Sequence, residues 1–186
     1  MKLYVLRHGI AFNRTDPQCP PDPDRPLTAK GVRRTRRAAR GLRALGATPS
    51  LILTSPYLRA VQTAEIAADE LRLAKKQVRS LAALEPAGDP AHVLTQLAKL
   101  EGADVACVGH SPQLEGLLAR ALGLDGRVPF ALKKAGAACV QLSPAAGSGR
   151  LLWLLEPRCL RALAGAGSVK PKRRPASRAD QSAKGS

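Results

Sequence analysis

The 186-residue sequence predicts a single three-layer α/β/α domain with a mostly parallel sheet. Three short apolar runs, each followed by a helical pattern, are the basis of this prediction; they lie at residues 3–6, 51–54 and 104–108. Continuous apolar runs of this length are typical of parallel strands that are buried on both faces. Because helices alternate with these strands, we expect helices to cover both sides of the sheet.

Four helices are predicted, each beginning at a capping residue, and they are expected over residues 29–45, 56–73, 90–100 and 112–122. Thr28 is the expected cap of the first helix, because its hydroxyl can accept a hydrogen bond from a free N–H of the first turn. Ser55-Pro56 and Ser111-Pro112 combine a capping serine with a proline at the first helical position. Arg59 then falls in the first turn of the second helix.

Weaker signals complete the predicted architecture. Residues 13–26 are rich in Pro and Asp and predict an exposed loop. Residues 78–84 predict an extended segment, and the apolar stretches 137–142 and 151–155 flank a Gly/Ser turn, which indicates a hairpin or two neighbouring strands. From residue 165 the composition changes to Lys, Arg, Ser, Ala, Pro and Gly, so the domain is expected over 1–164 and a disordered basic tail over 165–186.

The formal net charge of +16 predicts attraction to anions such as phosphorylated substrates, nucleic acid or acidic proteins, without selecting among them. The four cysteines show no zinc-ligand spacing and are expected to be reduced; they are Cys19, Cys107, Cys139 and Cys159. The sequence shows no signal peptide and no membrane-spanning stretch. We therefore expect a cytoplasmic protein.

Three motifs follow the three strong strands. Leu6-Arg7-His8-Gly9 follows the first strand, the stretch 55–64 with Arg59 follows the second, and Gly109-His110 ends the third. In open α/β sheets, ligands bind in the crevice beyond the carboxyl ends of the strands. Two histidines and two arginines that are far apart in the sequence are therefore expected to converge there.

These residue types suit phosphoryl chemistry. A neutral imidazole such as that of His8 is a nucleophile at physiological pH. The guanidinium groups of Arg7 and Arg59 match phosphate oxygens and stay charged, and a protonated His110 would add donors to the same oxygens. Two helix N-termini, after Ser55 and Ser111, would direct free N–H groups at the same anion.

The chain resembles the histidine phosphatase superfamily, whose fold is phosphoglycerate mutase-like. Leu-Arg-His-Gly, Ser-Pro-x-x-Arg-Ala-x-Gln-Thr-Ala, Gly-His and the Pro-Leu-Thr-Ala-Lys-Gly segment at 26–31 carry this resemblance. The short spacing between Arg59 and His110, and the segment at 132–137, most resemble the SixA-type phosphohistidine phosphatases. The resemblance covers residues 1 to about 160.

The resemblance implies a hydrolase with a phosphohistidine intermediate on His8. Arg7, Arg59 and His110 would form the phosphate pocket, and neither a metal nor a cofactor is implied. Many members of the superfamily also use a carboxylate as general acid, often carried by an insertion that this short branch lacks. Glu85 is the candidate for that role here, and an ordinary solvated loop carboxylate is an equally good interpretation of it.

Several functions remain open at this stage. The leading one is a phosphohistidine protein phosphatase, with a phosphorylated protein as its partner. A phosphatase of small phosphorylated metabolites would use the same pocket, whereas a mutase is disfavoured by the short chain. A binding protein for nucleic acid or acidic partners, with a vestigial pocket, is a third possibility, but all four pocket residues are present. No membrane and no specific nucleic-acid partner is expected, because the basic tail lacks stacking aromatics, and the oligomeric state stays open.

Overall fold

The computed structural model describes residues 1–100, 102–124, 128–143 and 149–165. Apart from Gly165, the segment predicted as a disordered basic tail lies outside the described residues. Within the described part of the chain, no helix combines the length and the apolar character that crossing a membrane requires.

In the described part of the chain, six strands form one mixed, mostly parallel sheet. In chain order they are β1 (Lys2–Arg7), β2 (Leu51–Thr54), β3 (Val78–Ser80), β4 (Val105–Gly109), β5 (Ala137–Gln141) and β6 (Arg150–Leu155). Their order in the sheet is β3-β2-β4-β1-β5-β6. Strands β1, β4, β2 and β3 run parallel, and β5 pairs antiparallel with both β1 and β6. The predicted mostly parallel sheet is confirmed, and the stretches 137–142 and 151–155 are neighbouring strands, one of the two arrangements expected for them.

Helices cover both faces of the sheet, as predicted. They are α1 (Ala29–Ala44), α2 (Leu58–Leu71), α3 (Pro90–Ala98), α4 (Gln113–Ala121) and α5 (Pro157–Leu163). Alternate residues of β1 enter two separate cores, because successive side chains of a strand point to opposite faces. Tyr4 and Leu6 pack with α1, α2 and α5, whereas Leu3 and Val5 pack with α3 and α4.

The helix starts were predicted with mixed success. The Thr28 side chain accepts a hydrogen bond from the Gly31 N–H at 2.9 Å, so the predicted cap of α1 is confirmed. The prediction that Ser55 caps α2 is wrong, since the helix begins at Leu58 and the Ser55 hydroxyl lies 2.9 Å from a ring nitrogen of His110. Ser111 likewise does not cap α4, because its hydroxyl donates to the Glu115 carboxylate. Helix α5 was not predicted from the sequence.

All four cysteines have free thiols, in agreement with the prediction that they are reduced. Cys107 and Cys139 are buried core residues. Burial raises the pKa of Cys107 to about 12 and that of Cys139 to about 11, so both thiols stay protonated and unreactive near neutral pH.

Candidate active site

The three motifs meet because β4 lies between β1 and β2. Arg7 at the end of β1 pairs with Gly109 at the end of β4, and Thr54 at the end of β2 pairs with Val108. The His8 N–H continues this ladder by donating to the Gly109 carbonyl at 3.0 Å. The three motif strands are therefore neighbours in the sheet, and their C-terminal ends bring His8, Ser55 and His110 to one edge of it.

His8 is fixed in one tautomer. Its Nδ1 lies 2.7 Å from the Gly9 carbonyl oxygen, which can only accept a hydrogen bond, so Nδ1 carries the proton. The side chain is 5% exposed, and burial lowers its pKa to about 3, assisted by the nearby charges of His110, Arg59 and Arg7 and opposed by the bond to Gly9. The ring is therefore neutral near pH 7, and Nε2 holds a free lone pair.

The His110 ring lies 5.0 Å from the His8 ring, measured between centroids, and is also buried. Burial, followed by the charge of Arg59, lowers its pKa to about 3. A protonated His110 was expected from the sequence, but the ring is neutral near pH 7 because it is buried among arginines. The Nδ1 atom of His110 is buried and has no hydrogen-bond partner among the described residues.

Arg59 is 1% exposed, which is exceptional for an arginine. Its Nη1 donates to the Asp22 carbonyl at 2.6 Å and its Nη2 to the Asp22 carboxylate at 3.1 Å. The guanidinium carbon lies 5.0 Å from the centroid of the Tyr57 ring, a distance at which a cation interacts with an aromatic face. Burial lowers the pKa of Arg59, but an arginine remains charged at this depth.

Thr63 links the helix that carries Arg59 to the loop that carries His8. Its hydroxyl donates to the Arg59 carbonyl at 2.7 Å and accepts from the Gly9 N–H at 3.0 Å. A Cβ atom at Gly9 would lie 2.2 Å from the Thr35 hydroxyl oxygen, so glycine is required where this loop meets α1. The loop that carries His8 and the helix that carries Arg59 are thus held in one fixed arrangement.

Arg7 and the His110 loop share a buried carboxylate, Glu115, which the sequence analysis missed. Nη1 of Arg7 donates to the Leu132 carbonyl at 2.6 Å. The N–H of Leu132 in turn donates to Glu115 Oε1 at 3.0 Å, and the Ser111 hydroxyl donates to the same oxygen. Glu115 is 4% exposed, and burial of Arg7 lowers the Arg7 pKa while the Glu115 charge raises it. Only its position one helical turn after Ser111 could have indicated Glu115.

These side chains border a pocket of about 540 Å³. Its lining consists of Arg7, His8, Ile10, Ala11, Phe12, Asn13, Arg14, Arg25, Arg59, Pro86, His110, Ser111 and Lys134. His8 and the three residues that were expected to form the phosphate pocket, Arg7, Arg59 and His110, therefore lie together. Glu85 is half-buried and does not belong to this lining, although its neighbour Pro86 does.

The loop at 13–26 contributes more than the exposed connection that was predicted. It contains a short 3-10 helix, Asp22–Asp24, and Asp22 pairs with Arg14, Arg25 and Arg59 at 3.0, 2.8 and 3.1 Å. Burial alone would raise the pKa of Asp22, but the arginines outweigh that effect and lower it. Asp22 thus orients three cations of the pocket wall, and no local pattern in the sequence could have revealed this pairing.

In chemical terms, the pocket contains the neutral His8 ring with its Nε2 lone pair, and several fixed positive charges. It also contains the buried Nδ1 of His110, which has no hydrogen-bond partner among the described residues. Such a set can bind a tetrahedral anion and attack it. Among the described residues, no three His, Cys, Asp or Glu side chains come together as a metal site would require.

Comparison with known proteins agrees with this arrangement. A model of the histidine phosphatase superfamily (branch 1) matches residues 3–85. An uncharacterised protein of Picosynechococcus is 46% identical over 141 residues, which are 73% of this chain and 82% of that protein. The phosphohistidine phosphatase SixA of Escherichia coli is 32% identical over 160 residues, which are 84% of this chain and 94% of SixA.

Solved structures give the same result. The structure of the protein histidine phosphatase SixA complexed with tungstate has a TM-score of 0.76 and 31% identity, and the match covers 86% of this chain and 99% of SixA. A phosphoglycerate mutase of Bacillus anthracis shares the fold, with a TM-score of 0.66 at 14% identity over 88% of this chain and 96% of the mutase. With a SixA relative matched over nearly its whole length, and with the motif residues gathered at one sheet edge, the chain belongs to the histidine phosphatase superfamily.

Proposed function

We propose that this protein is a metal-independent phosphatase that hydrolyses phosphohistidine in proteins through a phosphorylated intermediate on His8. The observation that carries the proposal is the 2.7 Å hydrogen bond from His8 Nδ1 to the Gly9 carbonyl, in a ring whose pKa is lowered to about 3. This bond leaves the Nε2 lone pair available for attack on phosphorus at neutral pH.

In the first step, His8 Nε2 forms a bond to phosphorus as the bond to the leaving group breaks. Arg7, Arg59 and the Nδ1–H of His110 would offset charge on the equatorial oxygens. A bound phosphoryl group would also raise the pKa of His110, because an anion nearby favours the charged imidazolium. These fixed cations supply the charge stabilisation for which other phosphoryl-transfer enzymes use Mg²⁺.

In the second step, water attacks the phosphorus and His8 leaves. Because Nδ1 keeps its proton through the bond to Gly9, His8 departs as neutral imidazole, which is a good leaving group. Inorganic phosphate and the original neutral histidine are the products. The same hydrogen bond therefore serves both steps.

The pocket lining favours phosphohistidine over phosphate esters. None of its described residues is an Asp or Glu that could protonate an alkoxide leaving group. A phosphorylated imidazole accepts a proton on its other nitrogen near neutral pH and then leaves as neutral imidazole, so it needs no strong acid from the enzyme. If Glu85 does act as general acid, E85Q should lower the turnover of phosphate esters much more than that of phosphohistidine.

A phosphatase of small phosphorylated metabolites is the second candidate, because a pocket of about 540 Å³ is in the range of small-ligand sites.

Activity profiling distinguishes a phosphohistidine phosphatase from a metabolite phosphatase. We expect kcat/KM for phosphohistidine peptides to exceed the values for sugar, nucleotide and inositol phosphates, and to be insensitive to EDTA. A metabolite with the higher kcat/KM would overturn the phosphohistidine assignment. Loss of activity in EDTA, restored by a metal, would overturn metal independence, and phosphate binding without any turnover would favour a binding protein.

A further inference from the structure

The turn at residues 133–136 holds Lys134 in a fixed relation to the nucleophile. The Ala135 N–H lies 3.1 Å from the carbonyl oxygens of both Arg7 and His8, and the Arg7 N–H donates to the Gly136 carbonyl at 3.1 Å. Ala135 adopts a left-handed conformation with φ of 61°, which closes the turn. The backbone that carries Lys134 is therefore bonded directly to the backbone that carries His8.

Lys134 differs from its neighbour Lys133 in its surroundings. Lys133 Nζ lies 2.6 Å from Glu156 Oε1, and Lys133 does not line the pocket. Lys134 lines the pocket, and no carboxylate of the described residues lies within ion-pair distance of it. An exposed lysine is ordinarily a solvated surface charge, but this one is directed into a site that already holds four arginines.

The positive charges of the pocket are not balanced by the carboxylates of the described residues. The lining contains five cationic side chains, namely Arg7, Arg14, Arg25, Arg59 and Lys134. Burial and then the repulsion of these arginines lower the pKa of Lys134. Asp22 is the carboxylate that Arg14, Arg25 and Arg59 share, and the charge of Glu115 acts on Arg7. A phosphoryl group carries at most about two negative charges. Positive charge therefore remains in excess even when the phosphoryl group is bound.

We propose that Lys134 forms a second anion subsite, which takes a carboxylate side chain of the substrate beside the phosphoryl group. The inference rests on the proposed function and narrows it to phosphohistidine in an acidic sequence context. Lys134 is in this view a specificity-determining residue, since an exposed cation at a fixed position selects among substrates through charge complementarity.

Two phosphohistidine peptides of equal length test the inference, one with Asp and Glu and the other with Ala and Ser next to the phosphohistidine. The wild-type protein should prefer the acidic peptide by about fivefold in kcat/KM, the upper range for an exposed ion pair. K134Q should lose most of this preference. K133Q is the matched control, because it removes an equal charge from the adjacent residue outside the pocket, and it should keep the preference.

Other results of this peptide experiment would overturn either the subsite alone or the proposed function together with it. Equal kcat/KM of the wild-type protein for both peptides, or a K134Q variant that keeps the full preference, overturns the subsite while the phosphatase function stands. Equal losses in K133Q and K134Q also overturn it, because the preference would then reflect net charge alone. If neither peptide is hydrolysed while other phosphate compounds are, the proposed function itself fails and the subsite fails with it.

Discussion

Ser55 Oγ lies 2.9 Å from His110 Nε2, and both side chains are buried. The same hydroxyl oxygen accepts the Tyr57 N–H at 3.3 Å, so its own proton is available for the histidine. If Ser55 donates to Nε2, the neutral His110 carries its proton on Nδ1, the atom that lacks a partner among the described residues. Ser55 would therefore be a positioning residue that sets which His110 nitrogen donates to the substrate.

Ser55→Ala should weaken the binding of inorganic phosphate by roughly tenfold, because a buried histidine would lose its hydrogen-bond partner and its tautomer preference. The ¹⁵N chemical shifts of the His110 ring check the cause directly. They should show the Nδ1–H tautomer in the wild-type protein and a mixture in the variant. An unchanged tautomer would assign Ser55 a purely structural role.

His8→Ala should abolish turnover but retain phosphate binding, because Arg7, Arg59 and His110 remain. A rapidly quenched reaction with labelled substrate should give acid-labile label on His8. His92→Ala is the matched control, since His92 is exposed and contacts only Gln96 among hydrogen-bond partners in the described residues. Substantial activity in His8→Ala, or label on another residue, would contradict the mechanism.

Arg59→Ala should weaken both phosphate binding and turnover, by about 2–4 kcal/mol in the transition state if it acts like other preorganised charge stabilisers. The substitution also removes one of the three arginine partners of Asp22, so the free energy of unfolding of the variant must be measured as well. Arg33→Ala removes an equal charge from the exposed side of α1 and should leave both properties near wild type. Equal effects of the two substitutions would show that only the net charge matters.

The lowered pKa values of His8 and His110 predict how stability depends on pH. Between pH 6.5 and about 3, the unfolded chain binds protons that these two folded histidines do not. Their contribution to the free energy of unfolding is therefore complete above pH 6.5 and is lost as the pH falls towards 3, by up to about 1.4 kcal/mol per pH unit for each histidine. Urea unfolding at several pH values measures the free energy of unfolding of the wild type and of His110→Ala. If this free energy changes with pH by the same slope in both proteins, the prediction is wrong.

The sequence predicted the pocket residues more completely than their supports. His8, Arg59 and His110 each follow a strand with a strong apolar signal, so the sheet alone places them at one edge. Asp22 and Glu115 could not be predicted in the same way, because a buried ion pair or hydrogen bond between distant residues leaves no periodic pattern. Ser55 was misassigned for the related reason that a capping serine and a serine bonded to a distant histidine look identical in a sequence.

The position of β4 has a consequence for how the chain folds. This strand lies between β1 and β2, although it follows both of them by about fifty residues or more along the chain. During synthesis, β1 and β2 cannot pair through β4 until residues 105–109 have been made. Contacts between residues so far apart in the sequence form slowly. Phosphate binding therefore requires the completed sheet, and bound phosphate should stabilise the whole domain against unfolding. A fragment that ends before β4 should bind no phosphate.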